Sequence, residues 1–97
     1  MRTKNAARIT PAESRHLANV KRCACVLCDA DPPSHAHHPI QGEHFTTVAV
    51  CDPCHVGPFG IHGDGTMLRL RYGTADLRAQ LRAINETQRR VAALEAE

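Results

Sequence analysis

The stretch that decides the fold runs His37-His38-Pro39-Ile40-Gln41-Gly42-Glu43-His44-Phe45-Thr46-Thr47-Val48-Ala49-Val50-Cys51-Asp52-Pro53-Cys54-His55. It begins with two adjacent histidines and ends in a Cys-x-x-Cys knuckle that leads straight into a third. Upstream, Cys25-Val26-Leu27-Cys28 supplies a second knuckle. Two thiolates spaced this way aim both sulfurs at one ion, and two knuckles complete a tetrahedron. Cys25, Cys28, Cys51 and Cys54 are therefore the expected ligands of a structural Zn²⁺. Cys23 creates a competing frame with Cys25, a poorer knuckle, and His35 or His55 is an alternative to one thiol. The plain reading is a set of unligated, buried cysteines.

Between the knuckles the pattern predicts a β-hairpin. His35 to Ile40 reads as extended, Gln41-Gly42-Glu43 as a turn, and Phe45 to Val50 as the most β-prone part of the chain. A short helix follows, with Asp52 as its expected cap and Pro53 as its first residue. Gly57-Pro58 stops it, and a glycine-rich loop to Gly65 carries His62. Residues 66–72 fit either a strand, since Leu68, Leu70 and Tyr72 alternate with arginines, or a short helix capped by Thr66.

Two longer helices flank this middle. Thr10-Pro11-Ala12-Glu13 is a capping box with proline at the first position, predicting a helix to about Val20. Thr74 is the expected cap of the last helix, with Asp76 in its first turn. Leu77, Leu81, Ile84, Val91 and Leu94 form its expected apolar stripe, interrupted by Gln88. Residues 1–9 read as a flexible basic N-terminus and 10–97 as one domain. The expected class is small α+β, a zinc-stapled core with flanking N-terminal and C-terminal helices.

Ninety-seven residues bury a limited fraction of their surface, so a metal staple would contribute much of the stability. Three aromatic residues, Phe45, Phe59 and Tyr72, exclude both an aromatic core and a stacking platform for single strands. No apolar run in residues 1–20 suits a signal peptide, and no stretch suits a membrane span, so thiolates in a reducing cytoplasm are expected. The net charge of +2 says little. Its distribution says more: every Lys and Arg lies at or before Arg22 or at or after Arg69. A metal-binding middle thus lies between basic arms, and Arg69, Arg71, Arg78 and Arg82 are candidate contacts to a DNA backbone. Ordinary solvated helix faces are the alternative.

Adjacent histidines in an extended segment point to opposite faces. One can hold a metal while the other reaches a water. His55, fixed beside Cys54, can approach the pair. That arrangement gives two imidazole ligands, His37 and His55, with His38 as a general base for phosphodiester hydrolysis. His62 is a third ligand, a phosphate contact or a helix-end hydrogen bond. His35 and His44 are read as surroundings of the site, and His16 as a surface residue.

His37-His38, a hairpin and Cys51-x-x-Cys54-His55 together resemble the ββα-metal (HNH, or His-Me finger) endonucleases. Gly57-Pro58-Phe59-Gly60-Ile61-His62-Gly63 and Arg71-Tyr72-Gly73-Thr74 resemble, more narrowly, the phage recombination-enhancement (Ref-like) branch. The likeness spans about Cys25 to Thr74. It implies a ββα-metal core, His37 and His55 as ligands of a catalytic Mg²⁺ or Mn²⁺, and His38 as base. It also implies DNA as substrate, recombination or packaging proteins as partners, and a phage or prophage origin. The chain departs from the family in one respect: no Asn lies between His38 and Cys54 to orient the base. A backbone carbonyl, Gln41 or Thr46 is expected in that role.

Two functional classes follow. One is a metal-dependent endonuclease, monomeric or dimeric through its C-terminal helix. The other is a non-catalytic zinc-finger module that binds DNA or a recombination protein. A redox role for the Cys-x-x-Cys pairs lacks the βαβ setting that such chemistry uses.

Overall fold

A computed structural model describes residues 8–97, so most of the expected flexible N-terminus lies outside the described residues. The element order is α1 (Pro11–Arg22), β1 (His35–His37), a 3₁₀ turn (His44–Thr46), β2 (Val48–Val50), α2 (Asp52–Val56), α3 (Thr66–Tyr72) and α4 (Leu77–Glu95). The fold is small α+β, with one two-stranded antiparallel sheet among the described residues.

Helix α1 starts as its capping box dictates. Thr10 Oγ1 accepts the Glu13 N–H at 3.1 Å, and the Glu13 carboxylate accepts the Thr10 N–H at 2.8 Å. The helix runs two residues past the expected Val20, to Arg22, and only Val20 is fully inside. Strands β1 and β2 pair in register His35↔Val50, Ala36↔Ala49 and His37↔Val48. The hairpin is shorter than expected, because His44–Thr46 winds into a 3₁₀ turn instead of extending. Thr47 Oγ1 donates to the His44 carbonyl across that turn at 3.1 Å. Hydroxyl bonding to nearby backbone competes with ladder pairing at such positions.

The middle of β2 is committed on both sides. The Ala49 carbonyl accepts the Val26 N–H from the first knuckle at 3.0 Å. The Ala49 N–H donates to Thr87 Oγ1 of α4 at 3.2 Å, and that hydroxyl donates to the Ala83 carbonyl at 2.9 Å. The first knuckle and the last helix are thereby locked to one residue of the sheet. Val20, Cys25, Val26, Val48 and Val50 fill the space between them, each almost wholly buried.

Helix α4 departs from the expected stripe. Its buried line is Ala79, Ala83, Thr87 and Val91, with Ile84 beside it. Leu77 and Leu81 face solvent, 69% and 50% exposed. Alanines at the contact let the helix axis approach the sheet closely, which leucines there would prevent. The cap is Asp76, whose carboxylate accepts the Arg78 N–H at 2.9 Å. Thr74 sits two residues outside, its hydroxyl accepting the Asp76 N–H at 3.4 Å. The second half of α4 lies against the molecule: Arg90 donates to the Ala24 carbonyl and pairs with Asp29 and Glu86. Gln88 donates to the Phe45 carbonyl at 3.0 Å, tying α4 to the 3₁₀ turn.

Residues 66–72 are helical. Gly65 precedes them at φ 77°, a left-handed conformation suited to glycine, and Gly73 closes the helix at φ 84°. The Asp64 carboxylate accepts from both the N–H and the hydroxyl of Thr66, which is the first residue of α3 and not its cap. The second knuckle shifts by the same single step: Cys51 is the cap of α2, and Asp52 and Pro53 are its first two residues. Among the described residues, no helix is long and apolar enough to cross a membrane.

Candidate metal centre

The hairpin and the first knuckle bring Cys25, Cys28, Cys51 and Cys54 together, with sulfurs all within 4.8 Å of one another. Cys28 Sγ and Cys51 Sγ are 3.6 Å apart. Zn–S bonds of about 2.3 Å put tetrahedral sulfurs about 3.8 Å from each other, so the group is compatible with structural zinc. All five cysteines are free, Cys23 is buried outside the group, and neither His35 nor His55 replaces a thiol in it. Cys23 Sγ instead donates to the Asn19 carbonyl at 3.4 Å. Burial opposes ionisation of Cys25. The backbone N–H groups of Cys51, Leu27 and Cys28 outweigh it and shift the thiol downward. Cys54 is held up by burial and by its neighbouring thiols. A divalent cation compensates such crowding of thiolates.

Histidines form a second group. His37 from β1, His55 from α2 and His62 from the glycine loop present ring nitrogens that also lie within 4.8 Å of one another. His55 Nε2 and His62 Nε2 are 3.2 Å apart, near the spacing of about 3.3 Å that Zn–N bonds of about 2.0 Å set in a tetrahedron. The loop places His62 by pairing with the end of α2: Ile61 N–H donates to the Cys54 carbonyl at 2.8 Å and His62 N–H to the His55 carbonyl at 3.0 Å. Gly60 permits this wrap, because a Cβ there would lie 2.5 Å from the Cys54 carbonyl oxygen. His37 is buried. Burial, then the charges of His55, His62 and His38, push its pKa down to about 4, so it is a neutral imidazole at neutral pH. Burial and the neighbouring His62 and His35 lower His55 as well.

His38, one residue past β1, meets His44 of the 3₁₀ turn, His38 Nε2 to His44 Nδ1 at 3.0 Å. Burial and His44 lower its pKa, while the Ala36 backbone favours the protonated ring. Gln41 and Thr46 are not its partners: Gln41 is exposed, and the Thr46 hydroxyl donates to the Glu43 carbonyl. His35 meets His55 from outside, Nδ1 to Nδ1 at 3.0 Å, and its Nε2 lies 3.8 Å from Asp52 Oδ1. The sequence reading set His44 and His35 around the site without assigning either a partner. The i,i+2 spacing of His35 and His37 on one face of β1 was the available signal for the latter. His16 is half-buried, edge-on to Phe45 at 5.3 Å, instead of lying on the surface.

The four arginines lie apart from the histidines in their bonding. Arg69 donates to the Thr66 hydroxyl, Arg71 to the Val26 carbonyl, and Arg78 forms a fork with Asp76. Arg78 and Arg82 line a recess with Tyr72, Gly73 and Thr74. Set beside protein-family models, curated proteins and solved structures, the chain matches none of them.

Proposed function

We propose that this protein is a metal-dependent endonuclease of the HNH type, hydrolysing DNA phosphodiester bonds with His38 as general base. The observation that carries the reading is the pairing of a three-imidazole group, His37, His55 and His62, with a fourth histidine, His38, directly after the strand that holds His37. The hairpin β1–β2 followed by α2 is read as the ββα-metal unit, stapled by the four cysteines.

In this reading the imidazoles of His37, His55 and His62 would hold a divalent cation, with Mg²⁺ or Mn²⁺ as working ion. When bound, the cation supplies charge stabilisation at the scissile phosphate. His38 would take the proton of the attacking water. His44 then holds the ring in place from Nε2, the task that the absent Asn would have performed. Arg69, Arg71, Arg78 and Arg82 are assigned to the DNA backbone, and readout of sequence is weak because phosphate contacts carry none.

The test is nicking of supercoiled plasmid by purified protein with Mg²⁺ or Mn²⁺, wild type beside His38→Ala. Cleavage by wild type alone supports the reading. Equal cleavage by both removes His38 as base, and silence from both shifts the protein to a zinc-stabilised DNA-binding or protein-binding module.

A further inference from the structure

The His55 ring is engaged at both nitrogens, and its outer bond is decided by residues that no part of the proposed chemistry uses. His55 Nε2 faces the triad, while Nδ1 lies 3.0 Å from His35 Nδ1. Between two neutral rings this bond has one proton, carried by one of the two Nδ1 atoms. If His35 carried it, His55 would hold its own proton on Nε2 and aim an N–H at His62 and the ion. If His55 carries it, Nε2 presents a lone pair to the ion and His35 holds its proton on Nε2. That nitrogen is the one 3.8 Å from the Asp52 carboxylate. Only the second arrangement both offers the ion a lone pair and puts a proton on the His35 nitrogen nearer the Asp52 carboxylate.

We infer that His35, backed by Asp52, is a positioning residue that fixes His55 as the Nδ1–H tautomer and so makes its Nε2 a metal ligand. The inference rests on the metal reading of the triad. Ligating histidines commonly donate their remote N–H to a fixed acceptor, and loss of that acceptor costs about 10–100-fold in metal affinity. Here the acceptor is a second imidazole. The two groups have different weights: His35 is in direct contact, whereas Asp52 is 71% exposed and beyond hydrogen-bond distance, so its effect is smaller. The register supports the placement. His35 and His37 lie two apart on β1 and therefore share a face, and both rings lie against His55, with centroids 5.2 and 5.1 Å away.

The experiment uses protein with zinc bound at its cysteines, titrated with Ni²⁺ by calorimetry. Imidazole proton positions are read separately from two-bond ¹H–¹⁵N spectra before any Ni²⁺ is added. Expected are a proton on Nδ1 of His55 and on Nε2 of His35, and a loss of about 10–100-fold in Ni²⁺ affinity in His35→Ala. His35→Asn, which keeps an acceptor where Nδ1 lay, restores most of that loss, and Asp52→Asn has a smaller effect. Unchanged Ni²⁺ affinity in His35→Ala, or a wild-type spectrum with the His55 proton on Nε2, overturns the inference. If the wild type takes up no Ni²⁺ at the histidines, the metal reading fails, and the wild-type spectrum still decides the proton. The same spectrum decides the matter if His35→Ala does not fold.

Discussion

His38 and His44 meet ring to ring, Nε2 to Nδ1 at 3.0 Å, although six residues and a turn separate them in sequence. The contact joins the expected base to a residue that the motif does not contain. It makes His44 the partner whose removal should loosen His38 without touching the cysteine group. His44→Ala should lower plasmid cleavage by about 10-fold or more while zinc content and the folded spectrum stay unchanged. After burial, the neighbouring His44 is the second cause that holds the His38 pKa down. The acid limb of the cleavage profile should therefore move to higher pH in the variant. A rate and profile identical to wild type would remove His44 from the mechanism.

Acid should destabilise the fold through His37. Its folded pKa, about 4, lies below its ordinary value of 6.5, so between these pH values the unfolded chain binds more protons. The contribution of His37 is complete above pH 6.5 and is lost as pH falls toward 4, by roughly 3 kcal/mol in all. Urea midpoints at pH 7.5, 6.5, 5.5 and 4.5, with no metal added beyond the cysteine zinc, measure it. His37→Gln should flatten the slope relative to wild type. Parallel slopes for the two proteins would mean that His37 is not the group responsible.

Thr87 offers the cleanest stability test. Its hydroxyl is fully buried and accepts the Ala49 N–H, so Thr87→Val keeps the shape and strands a buried donor. The expected loss is about 1–3 kcal/mol. Thr87→Ser, which keeps the hydroxyl, should lose less than the valine variant. If Val and wild type melt together, the bond contributes nothing.

Zinc removal should have the largest effect. Apparent binding energies of structural zinc, about 10–16 kcal/mol in small modules, exceed the whole stability of a typical domain. Cys51→Ser should strip the metal and unfold the chain, seen in zinc content and in circular dichroism. A Cys51→Ser protein that stays folded without metal would show the cysteine group to be incidental.

The legible parts of this chain were those set by short-range chemistry. Thr10, Pro11 and Glu13 form the capping box that their order dictates, and the two knuckles converge as their spacing requires. In the α4 stripe Ile84, Val91 and Leu94 face the core as read, but Leu77 and Leu81 do not: hydropathy ranks them above Ala79, Ala83 and Thr87, while close approach to the sheet selects small residues. His44 was hidden because its role depends on a 3₁₀ turn inside a segment rich in β-formers. His62 is placed by backbone bonds from a loop whose path depends on the absence of a side chain at Gly60. Such placements are tertiary, and no local pattern encodes them.

The double commitment of Ala49 bears on how this molecule meets others. A two-stranded sheet this short offers little length for pairing, and the middle of β2 presents neither its N–H nor its carbonyl to an incoming chain. Exposed strand edges template aggregation and strand exchange. Here the first knuckle and α4 shield that edge, so losing the metal would unmask it. A chain stripped of zinc should therefore be prone to self-association as well as unfolding, and at high concentration its precipitation would precede any loss traceable to the histidines.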